Sequence, residues 1–199
     1  HKFGIETVIY EQAHAFARIG SGIQMSPNAV RVLDGIGIGD RLRGTAFEPP
    51  HWRNRDWDTG NMSNEHPLGP DAMKRYGVPY LLMHRGDLHA ALHQAVPDET
   101  ILYDHKLSNI HQTDDGVSLT FENGNTALAD AVIASDGVHS PVRDTLFGAA
   151  PPEFSGRLAY RTTFPTSLLN GYEIADDSVK WWGPDRHIVI YYVTRARDE

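Results

Sequence analysis

Two acidic residues stand where apolar segments of the chain end, and both are candidates for ligand contacts. Glu11 ends the strand-like segment at residues 5–11, and Asp136 closely follows the apolar run at residues 131–134. In α/β proteins the ligand lies at the carboxyl ends of the strands, where a carboxylate hydrogen-bonds the ribose hydroxyls of a dinucleotide. An ordinary turn residue explains either position equally well, so neither identifies a site alone.

A histidine and a tyrosine share the segment at residues 187–193, which is strand-like in composition. His187 and Tyr191 are four residues apart, so in a strand both side chains point to the same face. This spacing allows them to act together, although a half-buried structural histidine is the ordinary explanation of His187. Trp181 and Trp182 alternate faces, so at least one of them packs and the other is a candidate for stacking on a ring.

A second pair of histidines is a weaker candidate, in this case for a metal. His89 and His93 are four residues apart on a predicted helix, so both could face one ion. The glutamate of the H-E-x-x-H pattern is absent between them, and the sequence indicates no third ligand. We interpret the two as solvated or capping residues and predict no metal.

Composition excludes several classes of function. The chain has 18 Lys and Arg against 26 Asp and Glu, a net charge of −8, whereas nucleic-acid binding needs clustered basic residues. It has no cysteine, which rules out disulfides and thiolate nucleophiles and is compatible with the cytoplasm, where we expect the protein. No apolar run approaches the roughly 18 residues of a membrane span, so no membrane association is predicted.

The first half of the chain predicts a strand, a loop and a helix twice over. A helix is expected to begin at Ser26 and end near Gly35, and a buried strand at residues 80–83 leads into a second helix that stops before Pro97. Residues 47–77 have weak periodicity and predict irregular or strand-and-loop structure. The apolar stripe of the second helix consists of Leu88, Ala91, Leu92 and Ala95.

The second half changes to a period of two. Residues 100–129 predict a β-meander, residues 131–134 a strand buried on both faces of a parallel sheet, and residues 140–148 a capped helix. We therefore predict an α/β fold: a Rossmann-like domain with a β-meander insertion at residues 1–155, followed by part of a mostly antiparallel domain at residues 156–199.

The two ends of the chain predict a fragment of a longer protein. The sequence begins at His1 rather than with methionine, and its first strand has no earlier segment to pair with. A dinucleotide-binding fold places a G-x-G-x-x-G loop about 20 residues before the acidic residue. Such a loop does not precede Glu11 here.

The ordered motifs of the chain together resemble the class A flavoprotein aromatic hydroxylases. The motifs are Tyr10-Glu11-Gln12, Arg18-x-Gly20-x-Gly22, Ser26-Pro27-Asn28, His84-Arg85-Gly86-Asp87-Leu88 and Asp136-Gly137-x-x-Ser140-x-x-Arg143. The resemblance implies that residues 1–155 bind FAD, that NAD(P)H is the co-substrate, and that O2 and a small aromatic acid are consumed.

The same resemblance assigns roles to single residues. It implies that Glu11 binds the adenosine ribose, that Arg85 reaches the FAD phosphates, and that Asp136 lies near the flavin. Gln12 and Leu107 would contribute mainly backbone contacts near the adenosine. Arg18 is a weaker candidate for a cofactor contact, and an ordinary surface charge is its alternative explanation. For Arg85 the alternatives to a phosphate contact are an ion pair with Asp87 and capping of the helix.

The C-terminal segment is similar to the branch of the family that hydroxylates 6-hydroxynicotinate. This similarity lies in residues 177–187 with Tyr191-Tyr192, and it implies that His187 and Tyr191 line the substrate pocket, where they hold or deprotonate a ring hydroxyl. One position departs from that branch: Gln24 stands where the nicotinate enzymes have a histidine that serves near the flavin, and the resemblance implies a cofactor contact there. Glutamine is common there in salicylate and hydroxybenzoate hydroxylases.

Two predictions of function follow from the resemblance. The first is an FAD-dependent monooxygenase acting on a 6-hydroxynicotinate-like ring, with a salicylate or 3-hydroxybenzoate hydroxylase as the alternative. The second, of a different class, is a non-catalytic fragment unable to hold FAD. A homodimer is an open alternative for the assembly.

Overall fold

The computed structural model describes residues 3–199 of the chain. These residues divide into two compact units, one formed by residues 3–16 and 97–159 and the other by residues 17–96 and 160–199. The strands are β1 (Ile9–Tyr10), β2 (Gly22–Met25), β3 (His51–Asp56), β4 (Met62–Pro67), β5 (Leu81–His84), β6 (Ile101–Leu102), β7 (Leu107–Thr113), β8 (Gly116–Phe121), β9 (Thr126–Ala129), β10 (Ser178–Trp182) and β11 (His187–Ile190). The helices are α1 (Pro27–Gly35), α2 (Gly39–Thr45), α3 (Pro70–Tyr76), α4 (Arg85–His93) and α5 (Pro141–Phe147).

The first unit is built on the predicted meander. Strands β7, β8 and β9 pair antiparallel in that order, and β1 pairs with β6 in parallel. The inward residues Leu119 and Phe121 of β8 are buried, as the period of two requires. Helix α5 begins where the sequence indicates, because the Ser140 hydroxyl accepts a hydrogen bond from the Arg143 N–H and Pro141 occupies the first turn.

The second unit contains two sheets. Strands β2 and β5 form an antiparallel pair, and a four-stranded sheet has the order β11-β10-β3-β4. In the larger sheet β10 runs antiparallel to β11, the one pairing within residues 156–199, but parallel to β3. The sheet takes two strands from residues 51–67 and two from residues 178–190, and the predicted domain boundary after residue 155 stays a prediction.

The core of the second unit forms around β5. All four residues of this strand are buried, with Leu81 and Leu82 fully inaccessible, which confirms the predicted buried strand. Val30 and Leu33 of α1 pack on it from the inward face of an amphipathic helix. Together these contacts fix β2 and the start of α4, the two places that carry candidate site residues.

Three local predictions were wrong. Residues 131–134 form no strand, and Ile133 is 92% exposed, because within residues 3–16 and 97–159 no neighbouring strand pairs their backbone. Leu92 lies in α4 but is 39% exposed, away from its buried face, and Ala95 lies beyond the end of α4 at His93. Residues 47–77 contain β3 and β4, as strand-and-loop structure requires, but they also form α3, whose start and end signals, Pro70 and the left-handed Gly77, outweigh its weak periodicity.

The first strand is also shorter than predicted. Only Ile9 and Tyr10 pair with another strand, while Val8 is unpaired and 44% exposed. Among residues 3–199, no helix has both the length and the apolar character needed to cross a bilayer.

Candidate active site

The second unit brings a glutamine and two tyrosines together around β2. The Tyr80 hydroxyl donates a 2.8 Å hydrogen bond to Oε1 of Gln24, and the Tyr191 hydroxyl lies against Gly22 of the same strand. Tyr80 precedes β5, which pairs with β2, whereas Tyr191 directly follows β11. We call these three residues the Gln24 cluster.

Gly22 allows Tyr191 to lie close to β2. A Cβ atom at position 22 would lie 2.6 Å from Tyr191 Oη and 2.8 Å from a ring carbon, closer than such atoms approach. Because residues 22 and 24 alternate with residue 23 along the strand, Gly22 and Gln24 face the same side of β2. The Tyr191 hydroxyl is therefore held against the strand beside the Gln24 amide.

Both tyrosines of the cluster hold their protons tightly. Burial raises the pKa of Tyr80 to about 12, and the nearby Tyr191 adds to this effect. Burial also raises the pKa of Tyr191, although the charge of Arg161 and the nearby Gln24 side chain act in the opposite direction. At neutral pH both phenols are therefore hydrogen-bond donors rather than bases.

The aromatic surroundings of the cluster continue onto the larger sheet. The ring of Trp52 lies 6.4 Å from that of Tyr80, and Trp52 is in register with Ser178 on the parallel strand β10. Trp52 Nε1 and Ser178 Oγ are buried and have no hydrogen-bond partner among residues 3–199. Buried polar atoms are nearly always paired, so these two atoms are exceptions on neighbouring strands of the sheet.

The structure does not bring His187 into the Gln24 cluster. His187 begins β11, is exposed, and has its ring 5.2 Å from that of Trp182. Tyr191 lies four residues further along, roughly 13 Å at about 3.3 Å per residue. Trp182 also donates from Nε1 to Asn54 and carries the Lys180 ammonium 3.7 Å from its ring centroid, so it has packing partners of its own.

The two predicted arginines differ in their surroundings at the start of α4. Arg18 donates to Asp87 at 2.7 Å and lies 3.6 Å from Glu199, which raises the pKa of Arg18. The Arg85 guanidinium is exposed, and within the described part of the chain it has no hydrogen-bond or ion-pair partner. The backbone of Arg85 is fixed by a 2.8 Å hydrogen bond from its N–H to the Ser21 carbonyl.

His84 caps α4, a role that the sequence did not reveal. Its ring is buried, with 3% of the residue exposed, and Nδ1 accepts a 3.0 Å hydrogen bond from the Gly86 N–H. A Cβ atom on Gly86 would lie 2.4 Å from Cγ of Arg18, so the stem of Arg18 covers this turn. The histidine of the His84-Arg85-Gly86 motif is therefore structural and holds Arg85 at the helix start.

Four other predicted residues lie in the first unit. Glu11 Oε1 accepts a 2.8 Å hydrogen bond from the Ala13 N–H, Gln12 is exposed, and Leu107 begins β7. Asp136 accepts a hydrogen bond from the Val142 N–H at 3.2 Å, and the Ser140 side chain lies near the same carboxylate. Burial alone would raise the pKa of Asp136, but these contacts and the charge of Arg143 hold that pKa below its usual value.

An ionic cluster in the second unit was also missed. Asp177 is buried, with 3% of the residue exposed, and is hydrogen-bonded by His51 at 3.1 Å and by Arg53. Arg53 pairs with Glu65 through its Nε as well. No three His, Asp or Glu side chains among residues 3–199 form a group that could hold a metal ion.

Tyr80 is the functional candidate that sequence reasoning overlooked. Residues 80–83 indicated only a buried strand, and no spacing in the sequence shows that Tyr80 lies beside Gln24, 56 positions earlier. The pairing of β2 with β5 creates this contact. A tyrosine at the end of an apolar strand was the available signal, because a buried phenol usually requires a partner for its hydroxyl.

Known proteins are similar to this chain in sequence and in fold. The family model for flavin containing amine oxidoreductase matches residues 45–138. The 6-hydroxynicotinate 3-monooxygenase of Bordetella bronchiseptica is 41% identical over 196 residues, covering 98% of this chain and 51% of the relative. The enzyme of the same name from Pseudomonas fluorescens is also 41% identical, with the same coverage of both chains.

Solved structures agree with the fold. Klebsiella pneumoniae HpxO, crystallised with FAD and uric acid, superposes with a TM-score of 0.77 at 21% identity, covering 96% of this chain and 48% of that one. The chain spans about half the length of the curated relatives it matches. The predicted resemblance is thereby confirmed: nearly the whole chain is similar in sequence to the 6-hydroxynicotinate 3-monooxygenases.

Proposed function

We propose that the chain is part of an FAD-dependent monooxygenase that hydroxylates an acidic aromatic or N-heteroaromatic ring with NAD(P)H and O2. A 6-hydroxynicotinate-like ring is the proposed substrate. The observation that carries this proposal is the similarity to the 6-hydroxynicotinate 3-monooxygenases, because it extends over nearly the whole chain. A cytoplasmic location and a homodimer stay predictions.

The residues of α4 fit the phosphates of FAD. Arg85 presents a guanidinium without a partner in the described residues, at the N-terminus of a nine-residue helix. A guanidinium and a helix N-terminus both favour a pyrophosphate. Arg18 would have to leave Asp87 to reach a phosphate, so we propose Arg85 as the principal ligand and Arg18 as its neighbour.

The first unit supplies the proposed adenosine contacts. Glu11 uses Oε1 to accept from the Ala13 N–H, which leaves Oε2 for a ribose hydroxyl. Gln12 and Leu107 would add backbone contacts. Asp136 is engaged in capping α5, so its proposed role near the flavin is to order the turn that precedes this helix.

The Gln24 cluster is the proposed substrate end of the site. FAD, when bound, supplies the activation of O2, for which protein side chains have no equivalent. The chain's own residues bind the ring, orient it and exclude water. Tyr191 and the aromatic side chains of Tyr80 and Trp52 provide the apolar wall, and we propose His187 as a more distant group that contacts the acid or the solvent-facing edge of the ring.

Flavin retention and substrate-stimulated turnover test this proposal. The full-length protein that carries these residues should retain a visible flavin spectrum after removal of free FAD, and aromatic acids should accelerate its oxidation of NAD(P)H. Arg85→Ala should weaken FAD binding about 10- to 100-fold, the worth of a charge-assisted contact, without changing the melting temperature of the apoprotein. A protein that neither binds flavin nor oxidises NAD(P)H would refute the proposal.

A salicylate or 3-hydroxybenzoate hydroxylase is the second candidate. The observation that favours it is Gln24, which lies between two phenols and cannot act as a base at neutral pH. Comparing 6-hydroxynicotinate, salicylate and 3-hydroxybenzoate as stimulators of NAD(P)H oxidation separates the two candidates.

A further inference from the structure

One face of the larger sheet carries both His187 and Tyr191. Residues in register on neighbouring strands point to the same face, and Trp182 of β10 is in register with His187 of β11. Lys180 and Val189 are the pair in register two residues further on, so they share this face. Tyr191 continues the alternation two residues after Val189. We call this side of the sheet the Tyr191 face.

Side-chain contacts agree with the assignment at the His187 end. The Trp182 ring lies 5.2 Å from that of His187, and Trp182 Nε1 donates to Oδ1 of Asn54 at 2.9 Å. Asn54 of β3 is in register with Lys180, so it lies on the same face. The Lys180 ammonium is 3.7 Å from the centroid of the Trp182 ring. The charged end of Lys180 therefore lies beside the ring that contacts His187.

The Tyr191 end of the face is tied together by aromatic packing. Trp52 stands two residues before Asn54 on β3, and its ring lies 6.4 Å from that of Tyr80. Tyr191 packs against the apolar cluster that contains Tyr80. Lys180 thus lies between the two ends of one continuous face.

The Lys180 ammonium is a charge without a carboxylate partner in the described part of the chain. Lys180 is half-buried, and its printed contact is with the Trp182 ring, whereas Lys106 pairs with Glu122 at 2.8 Å. The face of an indole attracts a cation but offers no oxygen acceptor. The three N–H donors of the ammonium are therefore left for another group.

We propose that Lys180 makes the site specific for acidic rings: its ammonium forms an ion pair with the carboxylate of the aromatic substrate. The inference rests on the proposed function and deepens it. Val189, in register with Lys180, is two residues from both His187 and Tyr191, so the backbone of Lys180 lies about 7 Å along the sheet from the level of each. A ring held at Tyr191 therefore reaches Lys180 through a substituent on its far side, such as the para carboxylate of 6-hydroxynicotinate.

A purely structural role of Lys180 would consist of its contact with Trp182. Loss of a packing contact affects ligands with and without a carboxylate alike. Loss of a carboxylate partner affects only the ligands that carry a carboxylate. A neutral ligand with the same ring therefore separates the two roles, and 2-hydroxypyridine is 6-hydroxynicotinate without its carboxylate.

Lys180→Met removes the charge, keeps the length of the side chain and provides the main test. The probes are 6-hydroxynicotinate and 2-hydroxypyridine, whose dissociation constants are measured from the change they cause in the flavin spectrum of the full-length holoenzyme. We expect Lys180→Met to weaken binding of 6-hydroxynicotinate about 10- to 100-fold, the worth of a hydrogen bond to a charged group, and binding of 2-hydroxypyridine less than about twofold. Lys180→Arg keeps the charge and should retain more of the affinity for the acid than Lys180→Met.

Two other cations provide the comparisons. Lys74→Met changes the net charge equally but lies in α3, where residue 74 is exposed, and it should leave both dissociation constants unchanged. Arg161 is the competing candidate, because its charge acts on Tyr191. We expect Arg161→Met to keep the native preference for the acid. If salicylate or 3-hydroxybenzoate proves to be the substrate, phenol replaces 2-hydroxypyridine as the neutral probe.

Three outcomes would overturn the proposal. They are a Lys180→Met protein that binds the acid as the native protein does, one that loses affinity for both probes equally, and an Arg161→Met protein that loses the preference instead. Lys180→Gln keeps a polar head group without the charge and replaces Lys180→Met if that variant does not fold. A native protein that binds no flavin refutes the proposed function instead, so the two failures are distinguishable.

Discussion

Gly22→Ala would test the contact between β2 and Tyr191 on which the site depends. The new Cβ atom would lie 2.6 Å from Tyr191 Oη and 2.8 and 2.9 Å from two ring carbons. Carbon contacts are normally about 3.5–4.0 Å, so the ring must move by roughly 1 Å. Tyr191 packs against the buried cluster that contains Phe47, and this packing resists the movement.

The expected cost follows from that movement. Overpacking of this kind destabilises a protein by about 1–3 kcal/mol, and a chain of this size loses about 2–4 °C in Tm per kcal/mol. The melting temperature of Gly22→Ala should therefore fall by about 2–12 °C, and its affinity for the aromatic acid should fall as Tyr191 leaves Gln24. Strain in the backbone contributes nothing, because the φ of Gly22 lies outside the left-handed region.

Gly44→Ala is the control for this prediction. Gly44 lies in α2, and a Cβ atom there would meet no atom within 4 Å. Alanine is the better helix former by up to about 1 kcal/mol, so this variant should melt at or above the native temperature. Thermal unfolding followed by circular dichroism measures both variants. Equal melting temperatures for Gly22→Ala and Gly44→Ala would refute the close approach of Tyr191 to β2.

The remaining predictions concern buried polar groups. The raised pKa of Tyr80 means that the folded state keeps a proton that the unfolded chain releases near pH 10. Up to about 2 kcal/mol of unfolding free energy is therefore present below pH 10 and is lost as the pH rises to about 12. Urea unfolding of Tyr80→Phe should lack this loss, and an unchanged loss in that variant would contradict the prediction. Asp177→Asn should destabilise the protein by about 2–4 kcal/mol in the same assay, because Asp177 is buried and paired with Arg53. Its exposed neighbour Asp176 provides the control, since Asp176→Asn should cost about 1 kcal/mol or less. Equal effects of the two substitutions would argue against the buried ion pair. Ser178→Ala should leave stability unchanged or raise it by up to about 1 kcal/mol, since the Ser178 hydroxyl lacks a partner among residues 3–199. Ser140→Ala, by contrast, should cost about 1 kcal/mol because it removes a helix cap. A destabilised Ser178→Ala protein would show that the Ser178 hydroxyl is paired.

Local signals in the sequence predicted most elements of the fold. Ser140 located the start of α5 through its cap, and the prolines at residues 27 and 141 located the first turns of α1 and α5; Ser26 precedes α1 without making a side-chain cap. The meander followed from alternation and from turn residues, which are also local. The segment at residues 131–134 failed for the opposite reason: its apolar residues form a strand only when other strands pair with it, and the sequence does not show its partners.

The candidate site was predictable only in part. Motifs identified Gln24, Tyr191 and Arg85 one by one, since the resemblance carries each position separately. The surroundings of Gln24 and Tyr191 depend on Tyr80, which the pairing of β2 with β5 places beside Gln24. They also depend on Gly22, whose missing side chain matters only because Tyr191 lies against it. Such long-range contacts are fixed by packing and leave no spacing in the sequence.

The most direct test of the central claim is NAD(P)H oxidation by the full-length protein reconstituted with FAD, with hydroxylated product quantified alongside. We predict that 6-hydroxynicotinate or a related aromatic acid accelerates the oxidation and is converted to a hydroxylated ring. Flavin binding without acceleration by any acidic hydroxylated aromatic, or acceleration without hydroxylated product, would contradict the assignment as an aromatic-ring monooxygenase.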